Sequence, residues 1–280
     1  MVMALTGRRL RRRWRLVATG LVIAFFLLVA FLPEVFAPRS PTAFDTARRL
    51  EGPSRDFPFG TDDLGRDILS RIIHGARPSL IIAFGAVGIA VVGGVTLGMV
   101  GGYYRGLWEW LPMRLVDVML CFPPIVLAIL IVGFLGPGMA NLVMVIGFLY
   151  VSRMARVVHG ATLSIRDSDY VEAHRAVGAG GARILLRGIL PNIMAPVIVQ
   201  ATLMLGTAIL VESGLSFLGL GVPPPAPSWG DMIGRGRTFM LNSPTGVVFP
   251  SVTLMVVVLA FNLFGDALRD HLDPRLRGAR

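Results

Sequence analysis

Six stretches of this chain are too apolar, for too long, to be dissolved in water. They cover residues 16–36, 80–102, 114–135, 139–151 and a little beyond, 193–220 and 247–268. A helix crosses the hydrocarbon of a bilayer in about 20 apolar residues. Hydrophobic residues make up 54% of the chain and the mean hydropathy is +0.69, outside the range of soluble domains. The expected architecture is an all-α integral membrane protein with six transmembrane helices.

The arginines set its direction. Arg8, Arg9, Arg11, Arg12, Arg13 and Arg15 precede the first run, and clustered cations beside a span stay in the cytoplasm. The net charge of +10 therefore reads as membrane orientation rather than nucleic-acid binding. A cleaved signal peptide is the competing reading of the first run, with Val35-Phe36-Ala37 as its cleavage site. That run exceeds the ~7–15 residues of a signal h-region, so an uncleaved span is expected. Alternation then gives a basic segment 1–15 inside, a first helix 16–36, an external segment 37–78, a five-helix core 79–270 and an internal tail 271–280. Both termini face the cytoplasm. The long loop 159–191 is also inside, where Arg166, Arg175, Arg183 and Arg187 agree with the rule.

Several local patterns can be placed on this frame. Leu64, Ile68, Leu69, Ile72 and Ile73 share one helical face, with Arg66, Asp67, Ser70 and Arg71 on the other. This predicts an amphipathic helix, either on the membrane surface or packed on its own bundle. Ala86, Ala90, Gly94, Gly98 and Gly102 recur at every fourth residue, a stripe that lets two helix backbones approach closely in lipid. Residues 103–112 form an internal turn with two tryptophans. Pro123 and Pro124 must kink the third span, as part of a solute path or of packing. Gly136-Pro137-Gly138 makes an external turn. Glu212 lies inside the fifth span, an expensive place for a carboxylate. It is either a path residue or a structural acid near the external end.

Enzyme chemistry finds no footing. The chain contains no lysine, so it has no phosphate-loop lysine, and its Gly-rich strings lie inside the spans. His74, His159, His174 and His271 are scattered without metal-ligand spacing. Cys121 is the only cysteine, so no intrachain disulfide can form. No cofactor is expected in this chain.

One polar stretch between membrane-length runs is ordered by its own residues: Asp169-Tyr170-Val171-Glu172-Ala173-His174-Arg175-Ala176-Val177-Gly178, continued to Ile189-Leu190-Pro191-Asn192. Asp169 and Glu172 have capping-box spacing, Ala173 and Ala176 favour helix, and Gly178 suits a left-handed helix stop. A second helix over 183–190 follows, and Pro191 breaks or restarts it. The stretch resembles the "EAA" loop of ABC importer permeases, which reads E-A-A, three residues, G, nine residues, I-x-L-P. Glu172, Ala173, Gly178, Leu190 and Pro191 match in register. His174 replaces the second Ala, and Gly188 stands where the motif has Ile. The string Gly60-Thr61-Asp62-Asp63-Leu64-Gly65-Arg66-Asp67, the segment from Glu212 to Gly221 and Ser228-Trp229-Gly230-Asp231-Met232 resemble the C-type subunit of the dipeptide/oligopeptide/nickel class.

The resemblance implies a type I ABC importer permease fold in a bacterial or archaeal plasma membrane. It also implies a second homologous permease, two cytoplasmic ATPase subunits that bind ATP and Mg, and an external substrate-binding protein. Asp169, Tyr170, Glu172, Ala173, His174, Ala176, Gly178, Leu190 and Pro191 would then couple to the ATPase. ATP binding would close the ATPases, move this short helix and switch the spans from inward-open to outward-open. The cargo would be peptides or a related small solute, with nickel as the alternative. An ion-driven secondary transporter would instead rely on Asp117 and Glu212 as buried ion sites, and inverted repeats are not evident. An intramembrane enzyme would need a catalytic constellation that the sequence lacks.

Overall fold

The computed structural model describes residues 2–272, with side chains from Trp14 onward. The arginines at 8–13 lie outside the described side chains. Residues 273–280, with the arginines of the tail, lie outside the described residues. The described chain is helical, with one isolated bridge between Thr61 and Asp67. Among the described residues five helical segments are long and apolar enough to cross a membrane, and a bent pair passes the same test if its two halves are taken as one span.

Helix α1 (Val2–Phe31) stops earlier than the expected end at residue 36. Pro33 has no N–H to continue the ladder, so the chain turns at Leu32 and Pro33 opens the short α2 (Pro33–Phe36). α3 (Ile68–Tyr103) has 36 residues. At 1.5 Å per residue it is about 54 Å long, well beyond the ~30 Å of hydrocarbon, so its first turns stand outside the membrane.

Those first turns correct the expected amphipathic helix. Residues 59–67 form an ordered loop, and Asp67 caps α3 by accepting from the Ser70 N–H at 2.8 Å. The face expected to be polar and solvated is buried: Arg66, Asp67, Ser70 and Arg71 are each at most 6% exposed. Asp62 organises this cap. Its carboxylate accepts from the N–H groups of Leu64 and Arg66, both at 2.9 Å, and pairs with the guanidinium of Arg66 at 2.7 Å and of Arg71 at 3.5 Å. Gly65 takes φ +74°, and a Cβ there would overlap the Asp45 carbonyl. Asp62 thus holds both guanidinium groups beneath the helix start, which the helical-face argument could not see.

α4 (Leu107–Leu120) and α5 (Pro124–Leu135) meet at a 91° bend around Pro123 and Pro124. The third span is thus two helices, and the expected turn over 103–112 ends at Gly106. α6 (Met139–Ile165) follows the glycine turn and runs well past Val151. The small-residue stripe of α3 packs on α6. Cβ atoms at Gly94, Gly98 and Gly102 would collide with Met154, Val158 and Thr162 in turn, and Gly85 faces Val143. Both numberings rise together, so α3 and α6 are parallel. The chain must therefore recross the membrane between them, and α4 with α5 is one full crossing rather than a re-entrant loop.

After the polar loop, α8 (Gly181–Arg183), a π-helical turn (Ile184–Ile189) and α9 (Leu190–Phe217) form one helical path of 37 residues. α10 (Trp229–Gly236) lies on the external side, where the buried Trp229 indole donates to the Ile72 carbonyl at 2.9 Å. α11 (Thr245–Leu272) returns antiparallel to α9, with Gly206 against Asn262 and Gly265 against Leu203. α1 lies outside this bundle, with Gly20 against Phe264.

Candidate functional site

The polar loop begins where α6 ends at Arg166. α7 (Asp169–Ala176) follows, with Ser168 as its cap residue and Asp169 already inside the helix. The expected capping box is absent. The Ser168 hydroxyl donates back to the Ile165 carbonyl at 2.6 Å, and only its backbone carbonyl receives the first helical N–H groups. Asp169 and Glu172 still place negative charge in the first turn, where the helix dipole favours it. Both point to solvent.

The helix stop is the one expected. Ala179 donates to the His174 carbonyl at 3.0 Å and Gly178 to the Arg175 carbonyl at 2.9 Å, a Schellman pair. Gly178 has φ +75°, and a Cβ there would meet nothing within 4 Å. Its requirement is purely conformational.

α7 rests on the π-helical turn. Val171 is its one buried residue, and sequence reasoning passed over it. It is the only branched apolar side chain in the first two turns, which was the available signal. His174 is half-buried, and its ring lies against Gly188, where a Cβ would sit 3.4 Å from His174 Cδ2. The helical path runs on through Pro191, and the regular α-helical pattern restarts there, with α9 opening at Leu190. The proline stands in the first turn of α9 with the π turn just before it, and there Leu190 N–H reaches back to the Leu185 carbonyl. The wider turn accommodates the missing proline N–H. Asn192 Nδ2 donates to the Gly188 carbonyl at 2.7 Å. Leu190 is half-buried and Pro191 is exposed.

Arg175, singled out in the sequence only for membrane orientation, ties this platform to the inner end of α3. Its guanidinium donates to the Tyr103 hydroxyl at 3.4 Å and the Arg166 carbonyl at 3.1 Å, and lies 5.2 Å from the centre of the Tyr103 ring. The bond to the Tyr103 hydroxyl is the main influence raising its pKa above the ordinary arginine value. Arg166 donates to the Gly102 carbonyl at 3.0 Å, and Arg105 pairs with Asp167 at 3.6 Å. α7 is thus held from beneath, while Tyr170, Ala173, Ala176 and Val177 are exposed, Val177 to 81%. Such a surface can dock, but it holds no catalytic constellation.

The remaining candidates lie elsewhere. Glu212 is fully buried in α9. It accepts from the Ser216 hydroxyl at 2.8 Å and the Ser213 hydroxyl at 3.3 Å, and Ser79 of α3 lies near the same carboxylate. Pro123 and Pro124 form the α4–α5 bend, and Ile125, just beyond it, lies beside Gly214 of α9. Asp117 is paired with Arg156 of α6.

The chain matches the family of binding-protein-dependent transport system inner membrane components over residues 94–278. It is 44% identical to the dipeptide transport system permease protein DppC of Alkalihalophilus pseudofirmus, covering 94% of this chain and 87% of that protein. It is 41% identical to the glutathione transport system permease protein GsiD of Pectobacterium atrosepticum, over 96% of this chain and 90% of that protein. Among solved structures, the inward-facing methionine ABC transporter MetNI shares the fold, with a TM-score of 0.61 at 20% identity over 74% of this chain and 98% of that one. The chain therefore belongs to the inner-membrane components of binding-protein-dependent transport systems, and is a multi-pass permease of the ABC importer type that works with an ATPase and a substrate-binding protein.

Proposed function

We propose that this permease forms half of a solute path for peptides or related small solutes, and that α7 is where the ATPase grips it. The cargo reading rests on the relatives, which are named for dipeptide and glutathione transport and so favour peptides over nickel. A second, related permease completes the path. Two cytoplasmic ATPases supply the work, and an external binding protein delivers the solute.

The single observation that carries the coupling role is the seating of α7. Eight residues are too few for a stable isolated helix in water, and this one is anchored through Val171, His174 and Arg175. Its opposite face, with Asp169, Tyr170, Glu172, Ala173 and Ala176, is exposed. Small side chains on a propped helix suit insertion into a partner's groove. The π turn beneath α7 leads without interruption into α9, which carries Glu212 on the external side. A displacement of α7 is therefore applied directly to a spanning helix.

The test is a cross-link. Cys121, the only native cysteine and exposed, is replaced by serine, and Val177→Cys is introduced beside the α7 face. In membranes containing the assembled importer, a short bifunctional thiol reagent should join this position to the ATPase, with a yield that changes on adding ATP. Absence of any ATPase cross-link, in a complex shown to be assembled, would overturn the docking assignment.

A further inference from the structure

The two positions at which this chain departs from the E-A-A…G…I-x-L-P pattern lie far apart in sequence and touch in the fold. His174 stands where the pattern has a small alanine, and Gly188 where it has a branched isoleucine. The His174 ring occupies the space beside Gly188, 3.4 Å from where its Cβ would be. Gly188 is buried. The enlargement at one site matches the reduction at the other. An isoleucine at 188 would direct its branches at the imidazole. An alanine at 174 would leave a gap beside the glycine.

The location gives this contact its consequence. Gly188 belongs to the π turn, where helical hydrogen bonding is already shifted to accommodate Pro191. His174 belongs to the last turn of α7, and its carbonyl accepts the bond that closes the helix. The contact thus joins the end of the short helix to the least regular turn of the long one. Val171 anchors α7 at its other end. With both contacts in place α7 and the π turn move together. Without the ring, Val171 and the Arg175 bonds still hold α7, but its end no longer bears on the π turn.

We propose that His174 and Gly188 form one interlocking joint, ring into notch, that passes motion of α7 to α9. They are positioning residues and touch neither solute nor nucleotide. The inference rests on the reading of α7 as the ATPase contact. The experiment therefore compares His174→Ala, Gly188→Ile and the double variant in the assembled importer, with the Val177 cross-link to the ATPase followed in each. The informative readout is solute imported per ATP hydrolysed, normalised to permease abundance, because a merely structural contact would change abundance and leave that ratio alone.

His174→Ala should keep its abundance and its cross-link while its transport ratio falls several-fold. Gly188→Ile should fall further. The double variant should recover at least ~5-fold over Gly188→Ile, as expected for side chains in direct contact. If Gly188→Ile fails to accumulate, the double variant should restore its abundance. An unchanged ratio in His174→Ala, or a double variant no better than Gly188→Ile, would overturn the joint while an intact cross-link leaves the docking role standing. Loss of the cross-link even in the unsubstituted pair would bring down both.

Discussion

A carboxylate inside a membrane-spanning helix invites a functional reading, and the surroundings of Glu212 argue for a structural one. The group is fully buried, and two serine hydroxyls of its own helix donate to it. Its neighbourhood is packed with backbone as well: a Cβ on Gly230 would overlap the Ser213 carbonyl. A proton carrier needs access to both sides of the membrane, whereas among the described residues this carboxylate is enclosed by serines of its own helix and by Ser79 of α3. Glu212→Gln keeps the size and an acceptor for Ser216. Uptake should therefore stay within about two-fold of the unsubstituted importer, in line with the small effects of isosteric changes. Glu212→Ala leaves buried hydroxyls without their acceptor and should cost about 1–3 kcal/mol, seen as reduced abundance in the membrane. A large loss of transport in Glu212→Gln at normal abundance would restore the carboxylate to the mechanism.

At the scale of elements, α7 and its stop can be tested by one residue. Gly178 holds φ +75° in open space, so a side chain there meets strain and no clash. Valine in the left-handed region costs about 1–2 kcal/mol, enough to misdirect a short helix and too little to unfold the spans. Gly178→Val should insert at normal abundance, with solute-stimulated ATP hydrolysis and uptake both reduced. Normal stimulation and uptake would count against a mechanical joint at this glycine. The glycine stop, the small-residue stripe on α3 and the proline bend were legible because each depends on local stereochemistry or spacing. The external cap was not. Its helical spacing holds only from Ile68, since Leu64 lies in the preceding loop, and Arg66 and Arg71 are buried because Asp62 folds back beneath them, a tertiary fact without periodicity. The absent capping box has a similar cause: Ser168, one residue earlier, takes the cap position.

The whole molecule turns on whether α4 and α5 together cross the membrane. By length, neither half suffices: 14 and 12 residues span about 21 and 18 Å, short of the ~30 Å core. A bend of 91° could equally describe a loop that enters and leaves on one side. The packing decides. Gly85, Gly94, Gly98 and Gly102 meet Val143, Met154, Val158 and Thr162 in ascending order, so α3 and α6 point the same way and the segment between them must return. The turn at Pro137 then lies on the same side as the α10–α11 loop, and α7 on the other. Exposed reporters exist for all three places: Pro137, Leu241 at 100% exposure and Val177 at 81%. Single cysteines are placed there in a Cys121→Ser background, in the permease expressed without its ATPase. A membrane-impermeant thiol reagent should label positions 137 and 241 in spheroplasts, and position 177 only after the membrane is opened. Labelling of 137 only after opening would make the bent pair re-entrant and leave five crossings. It would also put the amino terminus and α7 on opposite faces, which contradicts the arginine distribution at both.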